Sequence, residues 1–463
     1  MPPEGSATEP PATGDATEAV FTGWGRTARV RATSAPLLDA EQAASVVKAA
    51  GRRGVLARGL GRSYGDAAQN AGGTVLDATA STGILAFDVA TGLITVRSGT
   101  SIGHLIRAVI PFGWFVPVTP GTRWVTVGGA IAADIHGKNH HRVGSWCQHV
   151  TSLRLLTADG SVRDIGPDHD AELFWATCAG MGLTGVILDA TIRLIPVQTS
   201  WLRVDTDRAP DLETVMSLMA DGDQEYEYSV AWIDLVATGR HLGRSVLARG
   251  GFANPDELGP RQRRWPLEIR DKERLRVPQL PDRTLNSLSV RAFNELWYRK
   301  APRRRRGELQ TIGQFFHPLD LLRDWNRMYG PRGYLQWQCV VPKDRPEVIE
   351  AIVERISDSH LASFLAVLKL FGPEDPAYLS FPKEGWTLAL DLPLRPGLGL
   401  MLDELDETIV EAGGRLYLAK DSRMRAELLP EMYPRLGEWL QQRRRIDPDG
   451  RFQSDLGRRL GLT

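Results

Sequence analysis

The sequence predicts an α+β protein of two lobes, and three observations carry that reading. The chain has 463 residues, too many for one ordinary hydrophobic core. Residues 50–196 alternate short strand-like apolar runs with glycine turns. From about residue 200 tryptophans and tyrosines become frequent, and separated apolar runs such as 334–341 (YLQWQCVV) predict a larger antiparallel sheet.

In chain order, residues 39–48 (DAEQAASVVK) predict a helix that starts on an aspartate N-cap. The run 54–58 (GVLAR) predicts a strand feeding directly into a glycine loop, GLGRSYGDAAQN at 59–70. Residues 92–97 and 152–156 read as further strands, the second closed by the turn Ala158, Asp159, Gly160. Between them lies the most informative stretch, TPGTRWVTVGGAIAADIHGKNHH at 119–141. Gly128 and Gly129 leave two consecutive backbones without side chains, so N–H groups there can approach a phosphate closely. An apolar turn at 130–133 leads into a polar cluster of Asp134, His136, Gly137 and Lys138. Two glycine loops about seventy residues apart can hold the two ends of one long phosphorylated cofactor. A nicotinamide fingerprint fails on spacing: Gly59 and Gly61 fit G-x-G-x-x-G, but the third position is Tyr64 and Gly65 comes one residue late. The next residues, 66–73 (DAAQNAGG), end in a turn and not in an amphipathic helix.

Strand alternation sorts the second lobe. Gln336 and Gln338 share one face, opposite Leu335, Trp337 and Cys339. Two amides on an otherwise apolar strand are costly to bury without partners; a hydroxyl-rich sugar supplies them, and an exposed sheet face is the plainer alternative. Lys369 and Phe371 share a face of the run 365–371, where a lysine is either a snorkelling edge residue or a ligand. Lys420 falls at the expected end of a strand in 416–423, next to Asp421. A buried lysine there can bind an anion or act as a base; a surface salt bridge with Asp421 is the alternative. His136 and His140 have i, i+4 spacing, but no glutamate follows His136 and Gly137 interrupts a helix, so the pattern excludes a zinc site of the H-E-x-x-H kind.

Composition narrows the class. Lys+Arg 56 balance Asp+Glu 56, which argues against a general nucleic-acid binder. Basic charge is local, in runs at Arg261, Arg270 and 299–306, and the Arg- and Pro-rich segment 250–306 reads as loosely ordered. Cys147, Cys178 and Cys339 form neither a disulfide framework nor a zinc spacing. Residues 1–19 read as a disordered tail, with no basic and apolar regions of a secretory signal. No apolar run approaches the roughly eighteen residues needed to span a bilayer; the longest, 361–371, contains Lys369. Any membrane contact must then be peripheral, on a side the sequence leaves undecided.

The two loops, with T-x-G-G at Thr126, Gly128 and Gly129 running on to Gly137, resemble the PCMH-type FAD-binding domain of the vanillyl-alcohol oxidase superfamily. The stretch 178–196 (CAGMGLTGVILDATIRLIP) is similar to the end of that domain. A narrower resemblance, to the decaprenylphosphoryl-β-D-ribose 2′-oxidase family, rests on ARGLGRSYGD, GGAIAADIHGKNHH, LKLFGP, AKDSR and the closing DPDGRFQSDLGRRL. The resemblance implies an FAD domain at 20–198, an inserted substrate domain with an antiparallel sheet at 199–412, and a return to the FAD domain at 413–463. It implies cofactor contacts from Arg58, Gly59, Gly61, Arg62, Ser63, Tyr64, Gly65 and Asn70 in the first loop. In the second loop it implies Pro120, Gly121, Thr122, Thr126, Gly128, Gly129, Ala132, His136, Gly137, Asn139 and His140, and beyond them Gly182, Gly185 and Ile187. Substrate contacts would come from Lys138, Gln336, Gln338, Lys369, Phe371, Thr387 and Lys420, with Lys420, His136 and Tyr64 as the catalytic candidates. Many relatives carry a flavin-linked histidine where this chain has Arg62, so the FAD is expected to be non-covalent. Where many carry a cysteine facing the cavity, this chain has Ala389. The implied reaction is oxidation of the 2′-hydroxyl of a polyprenylphosphoryl ribose, completed by a separate NADH-dependent short-chain keto-reductase. A soluble aldonolactone or alditol oxidase acting on a small free sugar is the alternative.

Overall fold

The computed structural model describes residues 16–270, 275–282, 284–361 and 363–463. Most of the expected 1–19 tail and part of the basic run at Arg270 lie outside them. Within the described part, Thr17–Thr22 is not tail but the edge strand of a four-stranded sheet, in the order Thr17–Thr22, Arg29–Pro36, Thr74–Asp77, Val55–Arg58. Its residues pair antiparallel with Arg29–Pro36, which gives the segment a ladder its composition did not advertise. Next comes a five-stranded antiparallel sheet, in the order Ile84–Asp88, Leu93–Arg97, Val186–Arg193, Val150–Leu156, Val162–Ile165. The helix Ala40–Lys48 starts where Asp39 accepts from the Gln42 N–H, as the N-cap pattern requires.

The largest element is an eight-stranded antiparallel sheet, in the order Arg304–Thr311, Trp201–Ala209, Ser245–Phe252, Tyr228–Ile233, Ala366–Phe371, Gly385–Pro393, Tyr334–Pro342, Arg415–Leu416. Helices Leu212–Asp221, Pro346–Asp358 and Leu398–Glu411 pack against it. Strand alternation explains the division of faces. Trp337 and Cys339 turn to the helices, where the Trp337 indole donates to Asp406 at 2.8 Å, and Gln336 and Gln338 turn the other way into a cavity.

Two sequence expectations change here. Segment 250–306 is not loose throughout: Ser287–Lys300 is a 14-residue helix whose N-cap Asn286 accepts from the amides of Leu288 and Ser289. The basic run after it enters the edge strand Arg304–Thr311 of the large sheet. Propensity along this polar stretch was overridden by tertiary anchors: Asn294 donates to the buried Asp234 at 2.7 Å, and Arg244 joins Asp234 to Glu295. At the other end, the strand expected over 416–423 is only Arg415–Leu416, still within the large sheet, and Lys420 sits in a turn closed by its amide on the Tyr417 carbonyl.

The chain's return is tied to the first glycine loop. The Tyr64 amide donates to the Ala419 carbonyl, and Val55 pairs with the segment around Phe452. A Cβ on Gly65 would lie 1.9 Å from the Asp421 carbonyl oxygen, so only glycine lets the two backbones touch there. Arg459 bridges Asp66 and Asp421, at 2.8 Å to each. Arg459→Ala leaves two carboxylates at this seam without their shared cation, and a loss of about 3 kcal/mol is expected. Urea unfolding checks it: an unchanged midpoint would mean that the seam does not depend on this bridge.

Candidate active site

A cavity of about 1600 Å³ runs between the glycine loops and the large sheet. The strand Val55–Arg58 delivers the first loop to it. Arg58 fixes the loop by donating to the Thr22 carbonyl at 2.8 Å and to the Ala68 carbonyl. The second loop enters through the helix Val127–Ala132, whose N-cap Thr126 accepts from the Gly129 amide. Thr119 and Arg123 are held from across the cavity, Thr119 by the His317 ring at 2.8 Å and the Arg123 amide by Asp320 at 2.8 Å.

The walls fit a bound dinucleotide. The amides of Gly61, Arg62 and Ser63 have no acceptor among the described residues, so they form an anion-binding concavity. A Cβ on Gly121 would meet nothing within 4 Å, and one on Gly129 only the Thr126 hydroxyl. Side chains there would fill space that is otherwise open. The buried Ser98 hydroxyl, on the same wall, has no partner among the described residues. Arg62 lines the cavity with its guanidinium 4.2 Å from the Trp24 ring centre, and a guanidinium cannot form the imidazole link.

Most of the expected residues come together. Gly59, Gly61, Ser63, Tyr64, Pro120, Thr122, Gly128, Ala132, His136, Gly137, Lys138, Gly182, Gly185, Ile187, Gln336, Gln338, Lys369 and Lys420 all line this cavity. Six others stand behind the wall. Gly65 is spent on the seam with Asp421. Asn70 donates to the Gly54 and Thr74 carbonyls, and Asn139 to that of Pro117. His140 accepts from the Gly372 amide, and its ring packs on Phe371 at 4.5 Å. Phe371 in turn meets the His136 ring at 4.8 Å. Thr387 accepts from Gln338 at 3.1 Å and donates to the Cys339 carbonyl at 2.8 Å. Sequence proximity to a motif does not distinguish a lining residue from the one that braces it.

Those braces decide the state of His136. The Thr387 hydroxyl spends its proton on Cys339, so it is the amide nitrogen of Gln338 that faces it. That nitrogen's second proton points to His136 Nε2, 3.0 Å away. His136 therefore accepts at Nε2 and carries its proton on Nδ1, which has no partner among the described residues. Burial pushes the imidazole pKa well down, helped by Lys369, His140 and Lys420, so the ring is neutral.

The polar end holds three buried lysines. Burial lowers Lys138 to about 7, with Lys369 adding to the shift, and lowers Lys369 itself to about 8. Lys138 donates to the Phe315 carbonyl and lies 4.5 Å from that ring's centre. Lys420 stands 4.0 Å from the centre of the Tyr64 ring. It makes no ion pair with Asp421, which bonds Arg459 and the Arg423 and Met424 amides instead. Burial drives Lys420 down, against the attraction of Asp391 and with the repulsion of Lys369.

Asp391 is the residue whose part in the site the sequence reading missed. It is fully buried, accepts from Gln336 at 2.5 Å and from the Tyr329 hydroxyl at 3.2 Å, and burial raises its pKa. An aspartate in the apolar strand TLALDL, on the same face as Ala389, was the available signal. Ala389 lines the cavity, whereas Cys147, Cys178 and Cys339 are all buried elsewhere.

Glycine-cradled amides beside a cavity that gathers neutral His136 and depressed lysines define an FAD-dependent oxidoreductase. Comparisons with known proteins agree. An FAD binding domain family matches residues 37–166, and a D-arabinono-1,4-lactone oxidase family matches residues 395–460. The chain is 46% identical to decaprenylphosphoryl-β-D-ribose oxidase of Mycolicibacterium smegmatis over 95% of this chain and 97% of that one. It is 43% identical to an uncharacterized protein of Streptomyces coelicolor over 78% of this chain and all of the other. L-gulono-1,4-lactone dehydrogenase of Mycobacterium tuberculosis is 23% identical over 92% of this chain and 94% of its own. The chain belongs to the decaprenylphosphoryl-β-D-ribose oxidase family.

Because Arg62 faces the cavity where covalent relatives place histidine, acid precipitation is expected to release all flavin into the supernatant. Absorbance of the two fractions checks this; yellow colour retained by the denatured chain would contradict it.

Proposed function

We propose that this protein oxidises the 2′-hydroxyl of a polyprenylphosphoryl-β-D-ribose to the 2′-keto sugar. One observation carries the reading: the cavity that gathers the lysines is also lined by the apolar side chains of Leu285, Val290, Phe293, Trp297, Phe364 and Leu365, which form its apolar gallery. A sugar phosphate on an isoprenoid tail matches both sets of residues. A small free sugar or lactone, the alternative, leaves the gallery unfilled.

FAD would lie along Gly59, Gly61, Arg62, Ser63, Gly121, Gly128 and Gly129, and when bound it supplies the acceptor for the C2′ hydride. The chain's own residues handle the proton and the geometry. Lys420 Nζ, whose pKa burial lowers to about 7, takes the hydroxyl proton from its unprotonated form. Gln336 can donate its second amide proton to a ribose hydroxyl and Gln338 can accept one at its carbonyl oxygen, with Asp391 fixing the first amide and Thr387 and His136 the second. Lys369 and Lys138 offer the positive charge that the phosphate requires. His136 lines the same cavity, and its Nδ1–H, partnerless among the described residues, would be a donor for an electron-rich cofactor ring. A separate NADH-dependent short-chain keto-reductase consumes the ketone, and the lipid tail implies peripheral contact with a membrane.

Anaerobic bleaching of the flavin should occur with prenylphosphoryl ribose and not with free pentoses, alditols or aldonolactones; bleaching by a lactone alone would transfer the reading to the alternative. Lys420→Ala should retain flavin and lose about 100-fold or more in turnover. Since the uncharged amine is the active form, activity should fall as pH drops through a pKa set well below the ordinary lysine range. In Lys420→Arg the charge is kept but the base is lost. Activity restored by arginine would make residue 420 an anion contact and not the base.

A further inference from the structure

The helix Ser287–Lys300 has a surface that its place in the fold does not explain. At 100° per residue, Ser289, Phe293, Trp297 and Val290 form one sector, and these line the apolar gallery. The sector beside it, Leu288, Ala292 and Leu296, faces outward, with Leu288 78% and Leu296 68% exposed. Phe293 and Trp297 belong to the lining sector, yet each is 44% exposed and their rings stack 6.2 Å apart. The apolar lining of the gallery thus continues over the rim onto the outer surface. The remaining side is anchored, through Asn294 to Asp234, Glu295 to Arg244 and the Tyr298 hydroxyl to the Ala209 carbonyl, so the helix cannot roll its leucines inward.

Charge indicates what covers this face. Lys300, Arg303 and Arg304 are exposed and have no carboxylate partner among the described residues, whereas neighbouring Arg299, Arg305 and Arg306 are each paired with Glu or Asp. Exposed leucines, aromatic rings at their border and unpaired cations are what an anionic bilayer surface recognises.

We propose that the helix Ser287–Lys300 and the adjoining arginines dock on an anionic lipid surface, so that a lipid-borne substrate passes from the bilayer over Leu296 and Trp297 into the gallery. The lipid-transfer half of this inference rests on the function proposed above; the docking half does not.

Flotation of the flavin-loaded protein with phosphatidylcholine vesicles, with and without phosphatidylglycerol, tests the surface. Binding is expected only with the anionic lipid. It should weaken about fivefold for each cation removed in Arg303→Gln and Arg304→Gln, and at least tenfold in the pair Leu288→Glu and Leu296→Glu. Flavin absorbance and Tm confirm that each variant is folded, and the arginine pair decides the matter if the leucine pair is not. Turnover of a long-chain prenylphosphoryl ribose embedded in vesicles should fall in parallel, while turnover of a short-chain, water-soluble one stays unchanged. Wild-type protein that ignores anionic vesicles, or variants that float equally well, would overturn the docking even if oxidation proceeds. Binding as expected, with no turnover of either substrate, would instead sink the proposed reaction and leave the docking surface standing.

Discussion

Everything chemical in this molecule depends on one backbone contact, the seam between the first glycine loop and the turn at residues 417–421. The loop lines the cavity, the turn carries Lys420, and they meet through the Tyr64 amide on the Ala419 carbonyl. Gly65 lets them meet, since any Cβ there would sit inside the Asp421 carbonyl. Arg459, from the last helix, ties Asp66 and Asp421 together from outside. A chain returning from the far edge of the eight-stranded sheet is thereby held in hydrogen-bonding register with a loop more than three hundred residues earlier. Without that register the lysine would not stand over the Tyr64 ring.

The second constraint is electrostatic. Lys138, Lys369 and Lys420 share one buried volume, and Lys369 weakens the protonation of Lys138, Lys420 and His136 alike. Desolvation favours their neutral forms. An anion placed between Lys138 and Lys369 reverses the balance for those two, because an opposite charge favours the protonated amine. That part of the cavity attracts an anion, while Lys420 keeps the burial that lowers its pKa. Asp391, its pKa raised by burial and its carboxylate braced by Gln336 and Tyr329, partly offsets the depression of Lys420.

Polar and apolar demands are separated along the cavity. Gln336, Gln338 and Lys369 project from central strands of the sheet, Lys420 from the adjoining turn and Lys138 from the second glycine loop, while the helix Ser287–Lys300 lines the apolar part. The anchors of that helix are polar and lie on one side, and its apolar residues are left for the gallery and for the outside. A substrate with one charged end and one hydrocarbon end can use such a gradient; a uniformly polar one cannot.

Much was legible in the sequence because it depends on local rules. An aspartate before an apolar-periodic run starts a helix at residue 40, and period-2 alternation correctly put Gln336 and Gln338 on one face with Trp337 and Cys339 on the other. The pair Gly128 and Gly129 reads in sequence as free amides for a phosphate, but the first donates to the Ser98 carbonyl and the second to Thr126, and the glycine at 128 is needed for close packing on Ser98. Motif resemblance added the cofactor and the family. What the sequence could not settle was anything that depends on who stands behind whom. His140, Asn139, Asn70 and Thr387 carry the same polar groups as true lining residues, and only packing shows them bracing the wall. Asp391 stood out in the sequence as an aspartate in an apolar strand, but its partners, Gln336, Tyr329 and Lys420, come from separate parts of the chain. The segment 250–306 looked loose by composition, yet Asp234 and Arg244 from distant strands order a helix within it. Local sequence determined the chemistry available at each position; long-range contacts determined which of those groups lost their water, and with it their ordinary pKa and their freedom to do something else.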